Sequence, residues 1–369
     1  MFKTGNTTIG SKLVRVGVLP GEGSGPEVVA AALQVLEATA TTFGFELRTN
    51  IGGAVGMTAK HQCNRYLSEE VSEFCGTLFE IVGAILAGAA GGRFVYDLRK
   101  QFQLYVKLNP LRSYPELSHV CRVKLPARPV DILLLRENLQ DLYGGDSVEL
   151  QSDSGREVLH TLLHSESHVR AVIDKAVVAA VARRGDLCVI SKACGAPAIH
   201  SLWHDCASDA AAAAGVDLHF ADVDYAAYRL IHDPEAFDVI VAPNCFADIL
   251  SDVGGLLAGS RALTYGVSLS SRGDAVYQTN HGAAHDLAGT DTANPVGQIF
   301  AAAMMLEQTF QLPQPARAIE DAVRSLWRTG WRTQDLAEPG CRVVGTRQFG
   351  ELVAQEVAAL SCETCPATG

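Results

Sequence analysis

Short apolar runs alternate with Ala- and Leu-rich stretches of helical periodicity along most of this 369-residue chain. This alternation constrains the fold more than any other feature. Residues 14–19, 46–50, 81–86, 131–135, 187–190, 216–220 and 239–242 read as strands. Residues 26–43, 68–75, 165–184, 197–214 and 246–257 read as helices, with Pro26 near the start of the first, where a missing N–H does no harm. Strands that alternate with helices imply a largely parallel, helix-covered sheet, an α/β class. No 20–50-residue period recurs, which excludes a solenoid. No low-complexity linker divides the chain, so its domains are expected to pack closely.

Composition narrows the function. Hydrophobic residues make up 48%, enough for a sizeable core, and 41 acidic against 30 basic residues give a formal charge of -11. No basic block is present to dock on nucleic acid or an anionic membrane. The nearest approach to a membrane span, residues 81–90, is too short and too rich in Gly and Ala. Residues 1–15 lack the apolar centre of a signal peptide. Ten scattered cysteines read as free thiols in a reducing, cytoplasmic compartment. Cys362 and Cys365 form a lone CxxC, without the four ligands of a zinc site.

Five segments could carry chemistry. Gly21-Glu22-Gly23-Ser24-Gly25-Pro26-Glu27 joins a strand to a helix, but Pro26 stands where a Rossmann phosphate loop needs Gly or Ala, so it reads as a turn needing positive φ. Asp248 and Asp252 lie at i and i+4 on a helix, with Asp224 at the end of another strand. They form either a solvated acidic face or a site for an oxygen-preferring Mg²⁺ or Mn²⁺. Arg136 follows the strand DILLL and can clamp a carboxylate, while Tyr143 is a candidate general acid if neighbouring cations lower its pKa. Lys192 ends the strand CVIS, where partial burial would lower its pKa toward general-base use. The loop Asn280-His281-Gly282-Ala283-Ala284-His285-Asp286, with Asn294 beyond it, is small enough for close ligand approach. His160, His164 and His168 recur every four residues, but the helix is expected to start near Ser165, which breaks their common face.

Together and in this order the segments resemble the isocitrate/isopropylmalate family of β-decarboxylating dehydrogenases. GEGSGPE is similar to its GDGIGPE, RENLQDLY to its RE-x5-Y, FDVIVAPNCFADILSD to FDVIVTxNxFGDILSD, and NHGAAHDLAGTDTANP to HGSAPDIAGKGIANP. The resemblance implies an isopropylmalate-dehydrogenase-like two-domain α/β fold with a non-Rossmann dinucleotide site. Residues 1–104 and 259–369 would form the cofactor domain, with 105–258 inserted as a smaller domain carrying the contacts of a homodimer. It implies oxidation of a 2-hydroxy acid by NAD, then loss of the β-carboxylate, assisted by Mg²⁺ or Mn²⁺ at Asp224, Asp248 and Asp252. The metal carboxylates would come from both subunits, with Asp224 and Lys192 reaching the partner's site. Lys192 matches the family base and Tyr143 its proton-transferring tyrosine, while Arg99 and Arg136 match substrate arginines. His281, Gly282, Ala283, Asp286, Leu287 and Asn294 match the cofactor loop. The acid at Asp286 favours NAD over NADP, since it would accept ribose hydroxyls and repel a 2′-phosphate.

The departures bear on the substrate. The family's NLRP reads KLNP here, so Asn109 replaces an arginine, with Lys107 or Arg112 as possible compensators. Ser191 and Cys194 flank Lys192 where Asp and Asn are usual, and Glu22 replaces an Asp. The segment that would read the C3 substituent, Arg93, Phe94, Val95 and Tyr96, joins a cation to aromatics. A 3-substituted malate with an atypical C3 group, in a specialised pathway, is therefore expected. The alternatives are an ordinary 3-isopropylmalate dehydrogenase of leucine biosynthesis and a non-catalytic subunit of an isocitrate dehydrogenase-type complex. Retention of Lys192, Tyr143 and the three aspartates argues against the last.

Overall fold

The computed structural model describes residues 12–121 and 123–363, with side chains to residue 360. Most of the stretch 1–15 and the Cys362–Cys365 pair lie outside these described residues and side chains. In chain order the elements are β1 (Leu13–Leu19), α1 (Gly25–Phe43), β2 (Glu46–Ile51), α2 (Gly56–Cys63), α3 (Glu69–Glu80), β3 (Ala84–Ala87), α4 (Phe94–Gln101), β4 (Val106–Arg112), β5 (Asp131–Glu137) and α5 (Asp141–Gly144). There follow β6 (Ser147–Ser152), β7 (Gly155–His160), α6 (Glu166–Val181), β8 (Asp186–Ser191), α7 (Pro197–Ala214), β9 (Asp217–Asp222), α8 (Val223–His232), β10 (Val239–Ala242) and α9 (Asn244–Ala258). The last are β11 (Tyr265–Leu269), β12 (Ala275–Thr279), α10 (Val296–Gln308), α11 (Pro313–Arg328) and, after a short two-stranded ribbon, α12 (Thr346–Glu363). No helix among the described residues is long and apolar enough to cross a membrane.

Contacts divide the chain into two compact units, Met1–Phe94 with Asp274–Gly369, and Val95–Gly273. In the first, β2, β1, β3 and β12 lie side by side and parallel. Helix α10 is buried on every face from Val296 to Leu306, so it forms the centre of this unit's helical layer. α1, α11 and β12 pack around it.

In the second unit the strand order is β11-β4-β5-β10-β8-β9. β5, β10, β8 and β9 are parallel, while β4 runs antiparallel to both β5 and β11. Ile132 and Leu134 of β5 share a core with Leu250 and Leu257 of α9. Strand alternation then turns Arg136 to the same side, toward α9. The helix lies close on the sheet because Gly254 leaves room there: a Cβ would stand 2.7 Å from the Leu111 side chain. The hairpin β6–β7 extends outward, with Val148, Leu150, Val158 and Leu159 exposed.

Candidate active site

In parallel sheets, ligands are received at the carboxyl ends of the strands. Here those ends carry the candidates of the second unit. Arg136 ends β5 and Tyr143 lies in α5 just after it; Lys192 follows β8, Asp224 follows β9, and Asp248 and Asp252 stand on α9 after β10.

The centre is strongly cationic. Arg99 of α4, Lys107 of β4 and Arg136 of β5 are all at most 4% exposed. Lys107 and Arg136 are direct cross-strand partners, a like-charge pairing that is destabilising by itself. One arm of Arg136 donates from Nε to Asn244 Oδ1 at 2.8 Å, and the other binds the Asp248 carboxylate. Burial, then repulsion from Arg136, pushes Arg99 well below its ordinary pKa. Burial, then Arg99 and Arg136, lowers Lys107 further, against the pull of Asp248 and Asp252. Two tyrosines fill the gap between the arginines. Arg99 Cζ lies 5.7 Å from the Tyr96 ring, Arg136 Cζ lies 5.5 Å from the Tyr143 ring, and the ring centres are 5.5 Å apart. Val95 is half-buried beside them in α4, and Arg93 is exposed in the turn before that helix.

Two expectations need correction. Tyr143 is not acidified by its cationic neighbours. Burial, then the negative charge of Asp248 and a hydrogen bond with the Cys245 thiol, raises its pKa well above the ordinary value. Lys192 is not buried enough to lose its proton readily. It donates to Asp224 at 2.7 Å and to Asp222 at 3.2 Å, and these hydrogen bonds raise its pKa. Its neighbour Ser191 hydrogen-bonds His200, and Cys194 is exposed.

The three aspartates do not converge within one chain. Asp248 is held by Arg136, Asp252 by Arg261 at 2.7 Å and Asp224 by Lys192. Among the described residues no group of three His, Cys, Asp or Glu side chains could hold a metal. The half-exposed carboxylates of α9 nevertheless share one helical face, as their spacing predicts.

The KLNP departure has a structural answer. Arg112 lies at the far end of β4, paired with Asp131 at 3.5 Å, and takes no part. Lys107 joins the arginines instead. Asn109 is 1% exposed, and neither atom of its amide has a hydrogen-bond partner.

Sequence reasoning missed the support behind α9. Asp141, at φ 65°, accepts from the Cys245 backbone N at 2.7 Å and faces His164 Nε2 at 3.4 Å. His164 Nδ1 in turn accepts from Trp203 Nε1 at 3.3 Å. Burial raises the Asp141 pKa, but the hydrogen bonds from His164 and Cys245 outweigh it and leave the group below its ordinary value. His164 is thus a buried structural residue. His160 hydrogen-bonds Ser147 and His168 hydrogen-bonds Ser165, so the three histidines share no ligand. No local pattern in the sequence points to this network, whose members lie far apart along the chain.

In the first unit the loop before α1 meets the small-residue loop. The turn does use positive φ, at Gly21 (81°) and Gly23 (59°). A Cβ on Gly23 would collide with the Ala283 carbonyl, which accepts from Ser24 N at 2.8 Å and Ser24 Oγ at 3.2 Å. Glu27 accepts from Gly289 N. His281 binds the Gly282 carbonyl, and Asn294 Oδ1 accepts from Val296 N at the start of α10 while its amide donates to Asp335. Gly282 has open space where a Cβ would be, and Asp286 and Leu287 are exposed. The loop therefore presents an open, small-residue surface with a carboxylate on it.

Comparison with known proteins agrees with this arrangement over nearly the whole chain. The sequence model of the isocitrate/isopropylmalate dehydrogenase family matches residues 15–353. A Nitratidesulfovibrio vulgaris protein named 3-isopropylmalate dehydrogenase is 34% identical over 361 residues, covering 93% of this chain and 99% of its own. Its namesake from Carboxydothermus hydrogenoformans is 35% identical over 364 residues, covering 93% and 94%. Among solved structures, isocitrate dehydrogenase from Methylococcus capsulatus superposes with a TM-score of 0.84 at 27% identity, covering 94% of this chain and 99% of that one.

Proposed function

We propose that this chain, which belongs to the isocitrate/isopropylmalate dehydrogenase family, carries out the NAD- and divalent-metal-dependent oxidative decarboxylation of a 3-substituted malate. The observation that carries this reading is the buried trio Arg99, Lys107 and Arg136, with like charges in direct cross-strand register. A protein holds such charges out of water at a cost, and a polycarboxylate ligand offsets that cost.

Arg99 and Arg136 would bind the malate carboxylates, with Arg136 already aimed by Asn244 and Asp248. Tyr96 and Tyr143 would line the substrate, and Tyr143, protonated at neutral pH, would be the donor to the developing carbanion. Asp248 and Asp252 suit a hard cation such as Mg²⁺ or Mn²⁺, since both are carboxylates on one accessible helical face. A third ligand, Asp224, would come with Lys192 from a second copy of this chain, making the working unit a homodimer. The metal would supply Lewis-acid polarisation of the C2 oxygen. Lys192 would take the C2 hydroxyl proton once Asp224 is engaged by the metal. The open surface at Gly282, with Ala283 and His281 beside it, suits a dinucleotide, and Asp286 suits the unphosphorylated ribose of NAD.

Two substrate readings are separable. The relatives' names favour 3-isopropylmalate. Arg93, Lys107 and Asn109 favour a different C3 group in a specialised cytoplasmic pathway. The test is a panel of 3-substituted malates with NAD⁺ or NADP⁺ and Mn²⁺, followed at the NADH wavelength. Preference for a non-isopropyl substrate, with loss on Arg93→Ala, supports the atypical reading. Preference for (2R,3S)-3-isopropylmalate, with Arg93→Ala silent, supports the other. No oxidation of any malate would overturn both.

A further inference from the structure

Lys192 is held by acids from the neighbouring strand rather than from its own. Strand β8 ends at Ser191 and β9 at Asp222, and these two residues are register partners in parallel strands. Ser191, where Asp is usual in the family, is hydrogen-bonded with His200 of α7 at 2.9 Å. The carboxylate stands across the ladder instead. Asp222 Oδ2 accepts from Lys192 Nζ at 3.2 Å, and Oδ1 accepts from Ala193 N at 3.0 Å. One carboxylate therefore grips both the side chain of residue 192 and the backbone just after it.

Asp222 also occupies the N-cap of α8, where an aspartate ordinarily accepts from the backbone N–H groups of its own helix. No such capping bond forms among the described residues of α8. The carboxylate is turned to the end of β8 at the expense of the helix that it begins. Two further features fix the stem of the lysine. The Lys192 carbonyl accepts from Gly195 N at 3.1 Å and Ala196 N at 2.8 Å, which closes a tight turn. A Cβ on Gly195 would stand 3.0 Å from Lys192 Cγ, so glycine leaves room for the stem against that turn. Asp224 accepts from Nζ as well, but its side chain is 70% exposed against 35% for Asp222. Asp224 can turn to another ligand while Asp222 stays tied to the backbone of Ala193.

We propose that Asp222 is a positioning residue: it keeps Lys192 Nζ aimed at the reacting oxygen when Asp224 turns to the metal. The assignment rests on the malate reading above, in which Lys192 takes the C2 hydroxyl proton, and deepens it. It also gives the departure at Ser191 a consequence, since the acid lost from the lysine's own strand is supplied by its register partner.

The test compares the full-length wild type with Asp222→Asn and Asp222→Ala. Each is assayed with the malate panel, NAD⁺ and Mn²⁺, and hydrogen exchange of the 191–196 segment is followed by mass spectrometry. Asn keeps an oxygen for Ala193 N but turns its NH₂ toward Lys192 Nζ, so it breaks the side-chain grip alone. Ala removes both grips. Both variants are expected to lose roughly tenfold to a hundredfold in kcat, the range for a misplaced reacting group. KM for the malate should stay within about threefold, because Lys192 is not among the groups that bind its carboxylates. Exchange of the segment should match wild type in Asp222→Asn and quicken in Asp222→Ala. A kcat that holds or rises in Asp222→Asn, or that falls only in Asp222→Ala together with faster exchange, would overturn the assignment. Asp222 would then be a clip between strands, and the malate reading would stand. A wild type that oxidises no malate would overturn that reading and this assignment with it.

Discussion

Replacing Glu22 by Gln tests whether one carboxylate holds the front of the first unit together. Glu22 is 8% exposed and accepts four hydrogen bonds. Oε1 takes Thr58 N at 2.6 Å and Thr58 Oγ1 at 2.7 Å, while Oε2 takes Met57 N at 3.1 Å and Gly91 N at 2.8 Å. Met57 and Thr58 belong to the first turn of α2, so the carboxylate also opposes the positive end of that helix. Gln keeps one oxygen, but its NH₂ must then face two N–H donors. Losing two charge-assisted hydrogen bonds at about 1.5–3 kcal/mol each, without full additivity, gives a loss of about 3–5 kcal/mol. Burial raises the Glu22 pKa, but the hydrogen bonds from Gly91, Thr58 and Met57 overcome it and leave the group below its ordinary value of 4.5. A depressed carboxyl contributes its stability above the unfolded pKa and loses it as pH falls through the folded one. The gap between wild type and variant, measured by urea unfolding at a series of pH values, should be constant near neutrality and close below pH 4.5. A variant within about 1 kcal/mol of wild type at pH 7 would refute the reasoning, since that is the value of a single ordinary hydrogen bond.

Other perturbations probe the second unit. Asp238 is fully buried and accepts from Arg183 Nε and Arg184 N, both at 2.7 Å. Asp238→Asn should cost about 2–4 kcal/mol in urea unfolding, discounted because both arginines keep part of their hydration. His164→Ala should cost about 1–3 kcal/mol and lower kcat, because Asp141 loses a partner while it anchors the start of α9. Unchanged stability would show that Asp141 holds α9 without the imidazole. Raising KCl from about 0.01 to 0.1 M shortens the Debye length from about 30 to 10 Å. kcat/KM for a malate should then rise as the chain's overall negative field is screened; a steep fall would show that the local cations dominate encounter.

The strand–helix alternation was legible where each element is buried by its own pattern. Residues 14–19, 26–43, 131–135 and 197–214 read from the sequence correspond to Leu13–Leu19, Gly25–Phe43, Asp131–Glu137 and Pro197–Ala214. The expected strand 81–86 begins only at Ala84, because α3 runs on to Glu80 and Val82 sits at φ 57°. Helix α2 has almost no apolar periodicity and is held by Glu22, 35 residues earlier, which no local pattern reveals. β4 is not among the strands read from the sequence, because its KLNP segment carries a lysine, an asparagine and a proline. It is a buried strand whose Lys107 and Asn109 face the side that packs on α9. The site residues could be named one by one, but their protonation could not. Tyr143 and Lys192 were expected to be lowered by burial or by cations. Both are raised, Tyr143 by burial and then by the charge of Asp248, and Lys192 by its hydrogen bonds to Asp224 and Asp222.

The formal charge of -11 and the buried trio of cations belong to one electrostatic arrangement. Surface charge is hydrated and screened, so an excess of acids on the outside costs little at ordinary salt. Arg99, Lys107 and Arg136 are out of water, where each repels the others through a medium that screens poorly. Asp248 pairs with Arg136, and its charge also acts on Arg99 and on Lys107, where Asp252 adds to it. On the malate reading, an anion of matching charge relieves the local free-energy deficit that remains, and part of the binding energy comes from the fold. The chain can carry that deficit because it sits at the edge of a well-packed core, with Ile132, Leu134, Leu250 and Leu257 fully or almost fully buried beneath it.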